Sequence, residues 1–257
     1  MSESVGHAVP LSLGRRVVHD FLQVSRSVPQ VVFQKEINVA ELVAVRQTAL
    51  PRPSWCAIFT KAYAKVVAAR PDLRRAFLTF PWQRLFEYAR TSVDIVIDAR
   101  MGEEAVLVSA PLTSPESMTL ESIDRRLADC KADPVRNIRK YRRALIAARF
   151  PALLRSWVWW YHANLSGTKR SRYFASFGVS SVGNWGVDSV RPLTPWTTTL
   201  HCGAIGIDGN VALRLTFDHR VIDGSGASSA LNELAQVLES EMLAELRSLP
   251  KGLLRAG

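Results

Sequence analysis

Apolar and polar residues alternate with a period of two near the C-terminal end of the chain. The apolar positions are Val211, Leu213, Leu215 and Phe217. Such alternation predicts a half-buried β-strand. The segment 200–207 has the composition of a preceding strand, and Asp208-Gly209-Asn210 supplies turn residues between the two, so a hairpin is expected. Beyond Gly224 the apolar residues recur at helical spacing, which predicts a helix after a glycine-bounded turn.

The other hydrophobic periodicities predict helices and strands that do not alternate regularly. Helices are expected to begin near Arg15, to follow Asn38 and Ser54 as capping residues, and to include Ile123. The strand-like runs span residues 31–37, 76–79, 84–88, 93–97 and 105–108. Because the two kinds of element are mixed without strict alternation, the pattern indicates the α+β class and not a doubly wound parallel sheet.

The length of 257 residues, 47% of them hydrophobic, permits a sizeable core and a single domain over residues 1–257. No apolar run approaches the roughly 20 residues of a transmembrane helix, and residues 1–9 lack the apolar stretch of a signal peptide. The three cysteines have no CxxC spacing and favour neither a metal site nor a disulfide framework. A reducing, cytoplasmic setting is therefore expected.

The net charge of +10 is concentrated in residues 131–172, which contain eleven Lys or Arg residues and one acidic residue. The rest of the chain has equal numbers of basic and acidic residues. Three tryptophans and a tyrosine lie in the same segment, between residues 157 and 161. Pro151 is expected to kink or split the helix predicted there, because proline disrupts a helix interior.

This basic and aromatic segment is expected to be helical over residues 136–165. Its role has several interpretations. It could contact an anionic membrane surface, which would make the protein a peripheral membrane protein. Its aromatic side chains could instead line the substrate pocket while its arginines bind phosphates or an acidic carrier protein. The third interpretation is a helical hairpin with its cations in water. Nucleic acid is the least favoured partner, because no recognised binding motif accompanies the charge.

The turn after the strand that ends at Phe217 carries the candidate catalytic residue, His219. The stretch Thr216-Phe217-Asp218-His219-Arg220-Val221-Ile222-Asp223-Gly224 is followed by a helix of small residues. It resembles the catalytic signature of the acyltransferase (E2) components of 2-oxoacid dehydrogenase complexes, in the chloramphenicol acetyltransferase-like superfamily. The alternative is a histidine whose imidazole is bonded to the backbone of the turn.

A second stretch, Phe177-Gly178-Val179-Ser180-Ser181-Val182-Gly183, resembles the E2 segment in which a serine follows a strand. Ser180 corresponds to the serine of that family, and Ser181 is the neighbour that a shift of one residue would substitute. Both serines could instead bond to the backbone at a strand end. The segment 10–29 resembles the first helix of an E2 catalytic domain.

The resemblance implies a chloramphenicol acetyltransferase-like mixed β-sheet with helices packed on it. It implies His219 as the general base and Ser180 as a hydrogen-bond donor to the oxyanion of a tetrahedral intermediate. Asp223 would have a structural role, paired with Arg15 or Arg16 of the first helix. The resemblance further implies a homotrimer, able to assemble into larger particles, with the active site between subunits.

The resemblance covers about residues 10–238 and is weakest in the inserted segment 131–172. It implies a CoA or pantetheine thioester as the substrate, including acyl-carrier protein, and no metal. The chain has no lipoylation turn and no Ala/Pro-rich linker, so no lipoyl group is expected on it and a stand-alone acyltransferase is favoured. Two alternatives stay open: an E2 core working with separately encoded lipoyl and dehydrogenase subunits, and a non-catalytic trimeric scaffold.

Overall fold

A six-stranded mixed β-sheet forms the centre of the computed structural model, which describes residues 6–181 and 192–251. The strands are β1 (Gln30–Asn38), β2 (Arg75–Leu78), β3 (Arg84–Glu87), β4 (Ser92–Met101), β5 (Glu104–Thr113), β6 (Phe177–Ser181), β7 (Thr198–Cys202) and β8 (Asn210–Asp218). The large sheet has the order β1-β8-β7-β6-β4-β5, and β2 and β3 form a separate hairpin. Strand β6 runs parallel to β4 and β7, whereas the other neighbours are antiparallel.

Helices cover both faces of this sheet. They are α1 (Leu13–Ser25), α2 (Ala40–Thr48), α3 (Trp55–Ala69), α4 (Leu120–Ala132), α5 (Pro134–Asn137), α6 (Arg139–Ala147), α7 (Ala152–Asn164), α8 (Gly167–Tyr173), α9 (Gly224–Val237) and α10 (Leu243–Ser248). Ser12 and Ser54 cap α1 and α3 by accepting a backbone N–H, as such residues do. The expected α+β class with a mixed sheet is confirmed.

The predicted hairpin at the C-terminal end of the sheet is confirmed. The inward side chains of β8 are Val211, Leu213, Leu215 and Phe217, and none is more than 1% exposed. The turn before β8 contains Gly209, whose φ of +80° favours glycine, and a Cβ there would lie 2.7 Å from the backbone of Ala40. Strand β7 ends at Cys202, earlier than the sequence predicted, because the backbone from Gly206 onward already forms the turn.

One face of the sheet packs against α3 and α9 and forms the main hydrophobic core. Tyr63 of α3 contacts Phe177 of β6 edge-to-face, with ring centroids 5.2 Å apart, and its hydroxyl donates to Thr198 Oγ1 at 2.9 Å. Because side chains alternate along a strand, the neighbouring residues Ser180 and His201 point to the opposite face. That second face is covered in part by α1, α6 and α7.

The basic segment 131–172 forms the end of α4 and helices α5 to α8, and Pro151 separates α6 from α7 as predicted. Its cations do not all form one surface patch. Arg155 pairs with Asp20, Arg170 donates to two backbone carbonyls, and Lys140 pairs with Asp94. Seven of the eleven cations are exposed: Lys131, Arg136, Arg139, Arg142, Arg143, Arg149 and Arg172.

Candidate active site

The turn after β8 exposes His219 at one end of the sheet. The backbone N–H of His219 donates to Pro29 O at 3.1 Å, which ties the turn to the start of β1. The imidazole contacts the ring of Phe217 edge-on, with centroids 5.7 Å apart, and its side chain is 50% exposed. The ring is therefore held against the core on one side and is open to a substrate on the other.

The preceding residue, Asp218, holds this turn in shape. Its carboxylate accepts hydrogen bonds from Arg220 Nε at 2.9 Å, from Arg220 Nη2 at 2.7 Å and from the Arg220 backbone N–H at 3.0 Å. Two parallel hydrogen bonds from the guanidinium fix the distance and the orientation between the Arg220 and Asp218 side chains. The guanidinium also lies over the ring of Phe77, 4.6 Å from its centroid. Both residues belong to the motif at residues 216–224, but nothing in that stretch of sequence predicted that they pair.

Asp223 is the N-cap residue that directly precedes α9, and its carboxylate lies near His219. Asp223 Oδ1 is 3.8 Å from His219 Nδ1, and the Asp223 side chain is 86% exposed. The expected partners are elsewhere: Arg15 is exposed, and Arg16 Nη1 donates to Ala148 O at 3.4 Å. Neither arginine forms an ion pair with Asp223 in the part of the chain described.

The positions of the two helices explain this departure from the expected pairing. Helix α1 contacts β5, whereas α9 contacts β1 and β8. Strands β5 and β1 are the two edges of the six-stranded sheet, which are about 24 Å apart at a spacing of ~4.8 Å per strand. An arginine at the start of α1 therefore cannot reach Asp223 of the same chain.

Ser180 lies at the end of β6 on the face opposite the main core. The strand register places it beside Val96 of β4 and His201 of β7. The Ser180 side chain is half-buried, and its hydroxyl makes no hydrogen bond with any residue in the described ranges. This hydroxyl is therefore available to a ligand. For Ser181 only the strand position of the backbone is described.

His219 and Ser180 are far apart within one chain. Ser180 is level with His201, which pairs with Arg214 of β8, and His219 follows Arg214 by five residues. At about 3.4 Å per strand residue the two side chains are displaced by roughly 17 Å along the sheet. A base and an oxyanion donor must each come within about 3 Å of the same reacting group. One chain alone does not bring the two together.

An apolar cavity of about 370 Å³ opens beside Ser180, between the sheet and helices α1, α6 and α7. Trp159 of α7, Tyr141 of α6 and Phe21 of α1 contribute to its walls, as does His201 of β7. His201 is 2% exposed. Strand alternation could have placed Ser180 and His201 on one face. The helices that complete the cavity were predicted near Arg15 and over residues 136–165, but no local pattern indicated where they would pack.

Cysteine chemistry does not fit the described residues. Burial raises the pKa of the Cys56 thiol to about 11 and that of Cys202 well above its ordinary value, so neither is a thiolate near neutral pH.

The described ranges contain no group of three side chains able to hold a metal ion. They also contain no helix that is both long and apolar enough to cross a bilayer.

Comparison with known proteins connects this geometry to a family. Residues 175–246 match the family model of the 2-oxoacid dehydrogenases acyltransferase (catalytic domain). The matched range includes Ser180 and His219. A comparison with curated protein sequences gave no match.

Several solved structures share the fold at low sequence identity. A probable dihydrolipoamide acetyltransferase from Listeria monocytogenes is 18% identical over 91% of this chain and 95% of its own, with a TM-score of 0.66. The Azotobacter vinelandii dihydrolipoamide acetyltransferase is 19% identical over 93% of both chains, with a TM-score of 0.67. The cubic core of a pyruvate dehydrogenase multienzyme complex is 19% identical over 93% of both chains, with a TM-score of 0.65.

Residues 175–246 thus match an acyltransferase catalytic domain, and the solved structures share the fold of the chain. These findings confirm the resemblance to the catalytic domain of 2-oxoacid dehydrogenase acyltransferase (E2) components that the two sequence stretches predicted.

Proposed function

We propose that the protein transfers an acyl group from a CoA or carrier-protein thioester to a thiol, hydroxyl or amine. His219 removes the proton of the acceptor as its nucleophilic atom attacks the thioester carbonyl carbon. Ser180 donates a hydrogen bond to the oxyanion that forms. When the carbon–sulfur bond breaks, the imidazolium of His219 returns the proton to the departing thiolate, so the histidine is restored.

The separation of Ser180 from His219 within one chain is the observation that carries the mechanism. Since the two residues are displaced by roughly 17 Å along the sheet, a complete site requires His219 of one copy and Ser180 of a neighbouring copy. A repeated head-to-tail contact of this kind closes into a ring, and we propose a homotrimer. The likeness to the cubic core of a multienzyme complex supports self-association, including assembly beyond the trimer.

The Azotobacter enzyme gives separate support for the residue roles. The roles of a serine, a histidine and an asparagine four residues after that histidine have been investigated in its catalytic mechanism. His219 and Asp223 have the same spacing in this chain, with an aspartate at the second position. The 3.8 Å approach of Asp223 Oδ1 to His219 Nδ1 would orient the ring for proton transfer through its other nitrogen.

Mixed oligomers test whether the site is shared. Ser180→Ala and His219→Ala chains with different affinity tags would be co-expressed, and oligomers that carry both tags isolated. In a closed trimer that carries both tags, one of the three head-to-tail interfaces combines an intact serine with an intact histidine. We therefore expect about a third of the wild-type rate of thiol release from acyl-CoA. Each variant alone is the control, and mixed oligomers as inactive as their parents would refute the shared site.

We further propose an anionic membrane surface as a partner of helix α7. Leu153, Trp157 and Trp160 of α7 are 88, 60 and 43% exposed, and Phe80 extends this apolar area by contact with Trp160 at 5.8 Å between ring centroids. We call these four residues the α7 surface. Exposed arginines lie in the preceding helix and in the loop to α7. Aromatic and leucine side chains beside cations suit the boundary between anionic headgroups and acyl chains.

A further inference from the structure

The cavity beside Ser180 is more apolar than the proposed transfer chemistry alone requires. Its walls include Phe21 and Leu22 of α1, Tyr141 and Ala144 of α6, and Trp159 of α7. At about 370 Å³ it lies within the range of roughly 300–1,000 Å³ typical of small-molecule sites. A cavity of this size that is walled by hydrocarbon and aromatic groups selects apolar ligands.

The two charged residues that border the cavity, Asp94 and Lys140, neutralise each other. Asp94, which is 2% exposed, accepts hydrogen bonds from Lys140 Nζ at 2.5 Å, from Trp196 Nε1 at 3.2 Å and from the Ala175 backbone N–H at 3.2 Å. Its carboxylate is therefore satisfied without a ligand. The Thr199 hydroxyl is likewise bonded, to Thr194 Oγ1 at 2.7 Å. Among the described residues that line the cavity, Asp94, Lys140 and Thr199 therefore have protein partners, whereas the hydroxyls of Ser180 and Tyr141 have none in the described ranges.

We propose that this cavity binds the acyl chain of the donor thioester and selects a linear, apolar chain of medium length. This inference rests on the proposed function, because the thioester carbonyl is placed at Ser180 by its role as oxyanion donor. With the carbonyl there, the acyl chain extends into the apolar cavity. The amide groups of a pantetheine arm would lose their hydrogen bonds to water in such a cavity, which is costly, so the arm stays outside it.

The volume sets the length of the chain. A group the size of water occupies about 30 Å³ in a liquid, so a cavity of about 370 Å³ has room for on the order of ten such groups. Since atoms never fill a cavity completely, we assign it to chains of about six to ten carbons. An acetyl group would leave most of the cavity without contacts.

Binding measured without turnover tests the assignment. In a His219→Ala background, calorimetric titration with acetyl-CoA, octanoyl-CoA and palmitoyl-CoA gives the Kd for each chain length. We expect octanoyl-CoA to bind at least about 100-fold more tightly than acetyl-CoA, because each buried methylene contributes to affinity. Palmitoyl-CoA should gain nothing further. Equal Kd values for acetyl-CoA and octanoyl-CoA would overturn the assignment.

Two variants that fill the cavity from different walls locate the bound chain. Ala144→Phe on α6 and Val18→Phe on α1 should each weaken octanoyl-CoA binding at least about tenfold and leave acetyl-CoA binding within about twofold. Ile146→Phe is the matched control, since Ile146 is an exposed residue of α6 outside the cavity. Circular dichroism identifies a variant that fails to fold. In that case the octanoyl-CoA affinity of the other, folded variant provides the test. Unchanged octanoyl-CoA binding by a folded cavity variant would overturn the assignment.

The outcomes separate this inference from the proposed function. Chain-length-dependent binding without any acyl transfer by the wild-type protein would leave the cavity assignment standing and refute the transferase. Efficient transfer with equal binding of acetyl-CoA and octanoyl-CoA would support the transferase and refute the cavity assignment.

Discussion

Arg155 of α7 and Asp20 of α1 form a bidentate ion pair that is closed to solvent. Arg155 Nε lies 2.9 Å from Asp20 Oδ2 and Nη2 lies 3.2 Å from Oδ1, and the side chains are 9 and 4% exposed. The third guanidinium nitrogen donates to Phe150 O at 2.9 Å. The pair joins the basic segment to the first helix, and both helices wall the cavity beside Ser180.

We expect Asp20→Ala to lower the free energy of unfolding by about 3–5 kcal/mol, because it leaves a buried guanidinium without its counter-charge. Urea denaturation followed by circular dichroism measures this loss. Arg149→Ala, at an exposed cation of the same segment, should stay within about 0.5 kcal/mol of wild type. The double variant Asp20→Leu/Arg155→Met should recover much of the stability, and a single-variant loss below 1 kcal/mol would contradict the prediction.

We expect His219→Ala to lower the turnover number by about 10²–10⁴-fold and Ser180→Ala by about 10²–10³-fold, because they remove the base and an oxyanion donor. Thiol release from octanoyl-CoA gives the rates. Both variants should keep the wild-type oligomer size and melting temperature, since His219 is exposed and Ser180 makes no hydrogen bond in the described chain. His7→Ala and Ser181→Ala are the controls. A His219→Ala rate above a tenth of wild type would exclude the histidine as general base.

Local sequence patterns predicted the elements around these residues well. The alternation from Val211 to Phe217 predicted β8 and its buried face, and the glycine-bounded turn placed His219 outside the core. Ser54 predicted the start of α3 because an N-cap acts within one turn of helix. Each of these predictions depends only on residues close together in the chain.

Contacts between distant segments were not predictable in the same way. Asp20 and Arg155 are separated by 135 residues, and nothing near either one indicates a buried partner. The distance of Asp223 from Arg15 and Arg16 within the chain depends on strand order, because the start of α1 lies at β5 and α9 contacts β1 and β8. The cavity likewise required three helices and the sheet to meet.

If α7 contacts an anionic membrane, the protein should bind vesicles that contain phosphatidylserine. Co-sedimentation measures this binding. Leu153→Ala/Trp157→Ala should reduce the bound fraction by removing apolar contact, and Arg142→Glu/Arg143→Glu should reduce it through charge repulsion. Ile207→Ala is the matched control, because Ile207 is fully exposed in the turn before β8. Binding should weaken in high salt. No binding to anionic vesicles at low salt would refute the membrane partner.

The last prediction concerns His162 of α7, whose ring lies 4.0 Å from that of Tyr173. Its Nδ1 is buried and has no hydrogen-bond partner in the described ranges, and burial lowers its pKa below the ordinary 6.5. A lowered pKa in the folded state means that the unfolded chain binds the proton more readily, so stability is lost as the pH falls through about 6.5. We expect the melting temperature to drop from pH 7.5 to 5.5, and His162→Phe to reduce that drop. His7→Gln is the control, and an equal drop in wild type and His162→Phe would show that His162 does not contribute.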